Sequence, residues 1–342
     1  MSATRPMLWP LVPIYRFGLT LRELALRTSL EKTQRLQWPV VSIGNLSMGG
    51  SGKTPLTIAL ARALTARGVH VDVLSRGYGR RSALPLLVES DGKAEEFGDE
   101  PLEIAREAGV PVYVAAERYE AGLLAENASQ SAAADKSASQ RVSVHLLDDG
   151  FQHRQVARDV DILLLDRRDL ADHLLPAGNL RETLHVAKRA DVIAIPADEL
   201  DVAEWVKSQG REKMVWRLRR RMEIPQLDGP VVAFCGIARP EQFFEGFERA
   251  GVQLAARMAF ADHHRYTVGD LDRIAAAARK AGATALLTTE KDRVRLGALA
   301  NTLSASLPLQ TVPLRIEIED EAATIDWLIG CITKRTLRRG SL

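Results

Sequence analysis

Cysteine is almost absent: Cys235 and Cys331 are the only two in 342 residues, far apart in the chain. That excludes a disulfide framework and a cysteine-rich zinc site, and it fits a reducing cytoplasm. Charge of one sign is equally scarce. The formal net charge is +2, which excludes a general nucleic-acid binder, because that class carries a strong basic excess. No uninterrupted apolar stretch reaches the roughly 18 residues that a spanning helix needs. What is plentiful is core-forming material. Hydrophobic residues make up 46% of the chain, enough for a full core, and the length suggests two domains.

The chain is organised around residues 40–61, VVSIGNLSMGGSGKTPLTIALA. Val40, Val41 and Ile43 form an apolar β-branched run, glycines lead it into Gly52-Lys53-Thr54, and Leu56, Ile58, Leu60 and Ala61 continue in a helical pattern. Strand, glycine loop and helix together make a phosphate cradle, because backbone N–H groups converge there and the helix dipole favours an anion. Ser47, Met48, Gly49, Gly50, Ser51, Gly52, Lys53, Thr54 and Pro55 are the expected nucleotide-binding residues. Lys53 would reach the β- and γ-phosphates and the Thr54 hydroxyl would hold Mg²⁺. The strict G-x-x-x-x-G-K-[ST] pattern is not met, since its first position is Ser47. The variant with a lysine before a Gly-Gly pair is not met either, since Met48 stands there.

Residues 1–36 stand apart. Leucines and aromatics from Leu8 to Leu26 are interleaved with six cations against two carboxylates. The arginines, and the lack of a small-residue cleavage site, argue against a signal peptide. A basic amphipathic helix of this kind suits an anionic membrane surface, and the alternative is a helix that caps the domain core.

Residues 69–74 read as a second strand, followed at once by Ser75-Arg76-Gly77-Tyr78-Gly79-Arg80. Open α/β sheets bind ligands at such strand ends, so Arg76 and Arg80 are candidate phosphate contacts. Asp99 stands where an N-cap would. Residues 110–114 read as a short strand, and the Ser/Ala-rich stretch 127–140 as a surface loop. Residues 142–147 form an apolar strand that runs into Asp148-Asp149-Gly150-Phe151-Gln152-His153. An aspartate after such a strand is the usual partner of a phosphate loop, where it completes the Mg²⁺ shell. His153 is either a hydrogen-bonded structural group or a charged phosphate contact. Further strands at 162–165 and 192–195 flank a rigid turn, LPAGNLRE, in which Arg181 and Glu182 have each other as surface partners. Strands alternating with helices argue for a mostly parallel, doubly wound sheet.

Residues 222–230 read as a linker. The strand 231–235 opens a second α/β unit, and Asp262, His263 and His264 fall in one of its loops. Acid–base or hydrogen-bonding roles suit these histidines better than metal binding, since no second cluster of soft ligands occurs. The strand 285–289 ends in Glu290-Lys291-Asp292, and the tail 334–339 is basic.

These residues carry a resemblance. SIGNLSMGGSGKTP, LSRGYGR, GDEP, LLDDGFQH, LPAGNLRE, FCGIARPEQFF, FADHHRY and TTEKDRVRL stand in the order seen in the lipid A 4′-kinases (tetraacyldisaccharide 4′-kinases), and the chain resembles that family from its start to about residue 330. The resemblance implies an ATP- and Mg²⁺-dependent transfer of the γ-phosphate to the 4′-hydroxyl of a lipid A disaccharide 1-phosphate precursor. It implies a peripheral protein at the cytoplasmic face of the bacterial inner membrane. It makes Lys53, Asp99 and His263 catalytic, with Asp99 paired to His263 as the base and His264 as the alternative partner. Thr54, Asp148 and Asp149 become metal ligands, and Arg76, Gln152, His153, Arg181 and Glu182 substrate contacts. Glu290-Lys291-Asp292 would lie near the nucleotide base.

The expected fold is α/β: a P-loop NTPase-like, doubly wound, mostly parallel sheet with a smaller second α/β domain and an N-terminal amphipathic helix. The expected units are an amphipathic segment 1–36, a nucleotide-binding core 37–225 and a C-terminal unit 226–335. Asp99 and His263 fall in different units, so closure of two lobes would unite them. The alternative function is a P-loop GTPase switch or metallochaperone. It would need a guanine-reading Asn-Lys-x-Asp, and the nearest stretch is Thr289-Glu290-Lys291-Asp292, without the Asn. A membrane scaffold with a vestigial nucleotide site is opposed by intact Lys53, Thr54 and Asp148.

Overall fold

The computed structural model describes residues 5–28, 33–132, 142–209 and 213–339. Strands of the first unit are β1 (Val40–Asn45), β2 (His70–Ser75), β3 (Leu86–Leu87), β4 (Val112–Val114), β5 (Ser143–Leu147), β6 (Val160–Leu164), β7 (Val192–Pro196) and β8 (Met214–Met222). The second unit contributes β9 (Val231–Cys235), β10 (Leu254–Ala259), β11 (Ala285–Thr288) and β12 (Leu309–Thr311), after which β13 (Leu314–Ile318) follows. The large sheet runs β13-β8-β7-β6-β1-β5-β2-β4-β3 and the small one β10-β9-β11-β12. Pairing in the small sheet is parallel. In the large sheet only β3 and β13 pair antiparallel, at its two edges.

Every residue of β1 is buried, as a central parallel strand covered on both faces requires. Its neighbours are β5 and β6, so the direction of winding reverses at β1. Such a reversal opens a crevice at the carboxyl ends of the strands. Alternation sorts the side chains between two layers. Val41, Ile43, Ile162 and Leu164 pack under the helices Lys53–Ala66 and Asp99–Ala108, while Leu46, Leu163, Leu165 and Ile193 face the helix Leu200–Ser208. The doubly wound expectation holds.

Three details differ from the sequence reading. The helix Arg118–Ala132 takes in 127–132 of the expected loop, and residues 133–140 lie outside those described. Met222 still belongs to β8, so the connection to the second unit begins at residue 223. The span 226–335 is divided, because Leu314–Ile318 returns to pair with β8 and the helix Glu321–Arg339 packs on the large sheet through Ile325, Leu328 and Ile332. A short apolar strand carries no local mark of which sheet it will join.

The N-terminal segment forms a 3₁₀ turn, Pro6–Leu11, and the helix Val12–Arg27. None of its described residues is fully buried, although Tyr15, Arg22 and Glu23 bond to the first unit. No helix among the described residues is long and apolar enough to cross a membrane.

Candidate active site

The glycine loop behaves as its composition demands. Gly52 caps the helix Lys53–Ala66 at φ 96°, and no side chain caps it. The first-turn N–H groups are therefore left for an anion. Gly50 has φ 56°, and a Cβ there would meet the Arg239 side chain at 2.8 Å. A loop of the second unit thus lies directly on the phosphate loop. Arg239 also reaches across to Asp166 at the end of β6, 2.5 Å away.

Lys53 Nζ donates to Asn45 Oδ1 at 3.0 Å and lies 3.5 Å from Asp149 Oδ1. Arg181 holds the Asp149 carboxylate in a two-pronged grip of 3.0 and 3.1 Å, and one of the same nitrogens donates to Asn45 Oδ1 at 2.5 Å. Burial pushes the Asp149 carboxyl up, but Lys53 and Arg181 outweigh it and hold the group well below its ordinary range. Asp148 is buried and accepts from Thr57 Oγ1 at 3.2 Å. Burial, with Glu100 and Asp149 nearby, raises its pKa to about 7. Thr54 is buried in the first helical turn. Thr54, at the start of the helix Lys53–Ala66, and Asp148 and Asp149, after β5, are hard oxygen donors of the kind that fits Mg²⁺. Among the described residues no group of three or more His, Cys, Asp or Glu could hold a metal alone.

Asp99 opens the helix Asp99–Ala108 behind Gly98 and makes no cap. Its Oδ2 lies 3.2 Å from His263 Nδ1 and accepts from Arg295 Nε at 2.5 Å. His263 is 42% exposed and lines the cleft, while Asp99, 18% exposed, stands behind it. Burial raises the Asp99 carboxyl, yet the His263 and Arg295 bonds bring it below its ordinary value. The two residues meet without any further closure. His264 is occupied elsewhere, 3.0 Å from Asp270 and stacked on Phe260.

Phosphate loop, Asp148, Asp149, Arg181, Arg76 and His263 line one cleft of about 1780 Å³. Arg76 is exposed there. Arg80 turns into its own loop and donates to the Leu84 carbonyl at 2.8 Å, so it contacts no cleft group. Gln152 Nε2 donates to the Asn45 carbonyl at 2.8 Å. His153 Nε2 lies 3.0 Å from Arg118 Nη1. Burial and the Arg118 charge lower the His153 pKa to about 3, which favours the neutral imidazole. Arg181 and Glu182 do not pair with each other. Arg181 grips Asp149, and Glu182 accepts from Arg189 at 2.8 Å. The pairing follows burial, since a desolvated carboxylate recruits whichever cation reaches it.

Asp292 is fully buried and accepts from Gly236 N–H and Tyr266 Oη, each at 3.0 Å. It serves the fold and cannot read a guanine. Lys291 instead donates to Glu100 at 2.9 Å. Sequence reasoning missed Asn45, Arg118 and Arg295. Asn45 had a signal, a polar residue ending a buried strand beside the phosphate loop. The two arginines had none.

The profile of the tetraacyldisaccharide-1-P 4′-kinase family matches residues 4–333. A tetraacyldisaccharide 4′-kinase of Koribacter versatilis is 40% identical over 336 residues, covering 95% of this chain and 99% of the relative. One from Geobacter metallireducens is 37% identical over 316 residues, covering 84% and 88%. Among solved structures, LpxK from Aquifex aeolicus in complex with ATP aligns with a TM-score of 0.73 at 31% identity, over 96% of this chain and 99% of the other. Fold, loop and motif order agree along nearly the whole length, and the chain belongs to the tetraacyldisaccharide-1-P 4′-kinase family.

Proposed function

We propose that this protein transfers the γ-phosphate of ATP to the 4′-hydroxyl of a lipid A disaccharide 1-phosphate precursor. One observation carries the reading: a phosphate cradle at the end of β1 opens onto a cleft lined by His263, whose ring is bonded to Asp99 of the other unit. In phosphoryl transfer the protein's share is placement and charge compensation. Lys53 and the uncapped helix end neutralise phosphate oxygens, and Arg181 keeps Asp149 ionised and in place. Thr54, Asp148 and Asp149 would hold Mg²⁺, which supplies further neutralisation at the phosphates when bound. Asp99 takes the proton of the acceptor hydroxyl as that oxygen bonds to phosphorus. ADP departs with the electron pair of the broken bond. His263 orients the carboxylate from the opposite unit. Arg76, on the cleft rim, suits an anionic or sugar group of the acceptor. Gln152, His153 and Glu182 act one step back, by fixing the wall that positions it.

The exposed apolar stripe of the helix Val12–Arg27 supports a peripheral site of action on an anionic bilayer, at the cytoplasmic face of the inner membrane, where such an acceptor would be held. The test is transfer of radiolabelled γ-phosphate to a lipid disaccharide 1-phosphate in mixed micelles. Asp99→Ala should lower turnover by two to four orders of magnitude while an ATP analogue still binds. Near-normal turnover would remove Asp99 from the mechanism. GTP serving as well as ATP, without acceptor phosphorylation, would favour the switch reading.

A further inference from the structure

The short helix Glu290–Leu296 of the second unit faces the start of the helix Asp99–Ala108 in the first. Lys291 and Arg295 are four apart, so they share one helical face. Each grips one of two consecutive acids: Lys291 takes Glu100 at 2.9 Å, and Arg295 takes Asp99 at 2.5 Å. Arg295 does more than pair. Its side chain is only 4% exposed. Nη1 donates to the Gly236 carbonyl at 2.5 Å and Nη2 lies 3.2 Å from His263 Nδ1. Asp292, one turn earlier and fully buried, stands 3.4 Å from the same guanidinium. A planar fork with five donors in fixed directions can hold several partners at once in one geometry.

We propose that Arg295 is a positioning residue for phosphoryl transfer: it sets the Asp99 carboxylate and the His263 ring relative to each other across the two units. This rests on the reading of Asp99 and His263 as the base pair. Both cross-unit contacts fall on Asp99 Oδ2, so a single carboxylate oxygen is fixed from the opposite unit. The guanidinium also keeps the carboxylate ionised, because an opposite charge at this distance favours the charged form. The groups facing the pair are few. Asp99 is faced by His263 and Arg295, while Arg295 is faced by Asp292 and Asp262, with Lys291 adding a like charge. Glu103 lies on the Asp99 helix, within range of both cations. A lysine could supply the charge but not the three-way geometry.

The experiment compares wild type, Arg295→Met, Arg295→Lys and Asp99→Asn in pH profiles of turnover, with ATP-analogue affinity and thermal melting alongside. Arg295→Met should lower kcat at least tenfold, change analogue affinity less than twofold, and move the acid limb of the profile up by about one unit. Arg295→Lys should return the limb towards wild type while kcat stays reduced. A loss that is uniform in pH, with the limb in place, would mean a structural bracket only and would overturn the proposal, as would wild-type kinetics. If Arg295→Met does not fold, the limb and kcat of Arg295→Lys decide alone: wild-type values for both overturn it. Asp99→Asn separates the two claims. If that variant stays active, the base-pair reading falls; if it is inactive while the Arg295 variants behave as wild type, only the role of Arg295 falls.

Discussion

Two helices border the cleft and obey opposite rules. In the helix Lys53–Ala66, Leu56, Leu60, Ala61 and Leu64 are completely buried, and the free end of the helix is its amino terminus. In the helix Val12–Arg27 three polar side chains reach back to the protein. Tyr15 donates to the Arg181 carbonyl at 2.9 Å, Arg22 donates to the Gln152 carbonyl, and Glu23 takes Arg154 at 2.5 Å. Its apolar stripe faces out: Ile14 and Phe17 are 68% and 63% exposed, with Leu21 and Leu24 next along the same side. Burying a large apolar side chain gains roughly 1.5–3 kcal/mol. One helix takes that gain inside the fold. The other leaves it available to a surface outside.

The largest effect expected from this contrast is on folding. Leu60→Ala should lower unfolding free energy by about 2–5 kcal/mol, the cost of a large-to-small change at a fully buried site. A urea titration measures it, and a loss below about 1 kcal/mol would mean that this helix is not anchored by its apolar face. Next, Phe17→Ser with Leu21→Ser should leave that titration within about 0.5 kcal/mol of wild type, as for surface positions. The same double variant should lose at least tenfold in binding to phosphatidylglycerol vesicles. Destabilisation matching that of Leu60→Ala would abolish the contrast. Stable protein with unchanged vesicle binding would leave the outward stripe without its proposed partner.

The same contrast explains what could be read before the structure. The phosphate loop was legible because its parts are adjacent in sequence: an apolar strand, glycines, Lys53, then a buried helical face. The strand-end aspartates were legible for the same reason. The direction in which the helix Val12–Arg27 would turn was not, since an amphipathic pattern suits a core and a membrane alike. Nor were the partners of Arg181, Glu182 and His264, or the part played by Asn45, Arg118 and Arg295. Several depend on a group delivered from a distant part of the chain: Asp149 for Arg181, His153 for Arg118 and Asp99 for Arg295. Family motifs named Asp99 and His263 together, but the guanidinium that bonds Asp99 and lies beside the His263 ring is a tertiary fact. The return of Leu314–Ile318 to the large sheet belongs to the same class.

A further effect concerns a position where the inward rule is broken. Glu103, on the helix Asp99–Ala108 packed against Lys53–Ala66, is buried, and its Oε2 has no hydrogen-bond partner among the described residues. Burial raises its pKa from 4.5 to about 7, against the pull of Lys291 and with Glu100 adding to the rise. The sign follows from proton linkage. Below pH 4.5 folded and unfolded chains both carry the proton, and the group contributes nothing. Between pH 4.5 and 7 the unfolded chain releases a proton that the folded chain still holds, so stability falls as pH rises. Above pH 7 the deficit is constant. Glu103→Gln has no such proton and keeps the volume. It should therefore be more stable than wild type by about 1–3 kcal/mol at pH 8, and by less than about 1 kcal/mol at pH 5. Paired urea titrations at the two pH values check this. An equal difference at both would show that the gain comes from packing, and a loss at pH 8 would show that Lys291 holds Glu103 as a charged partner strongly enough to cancel its desolvation.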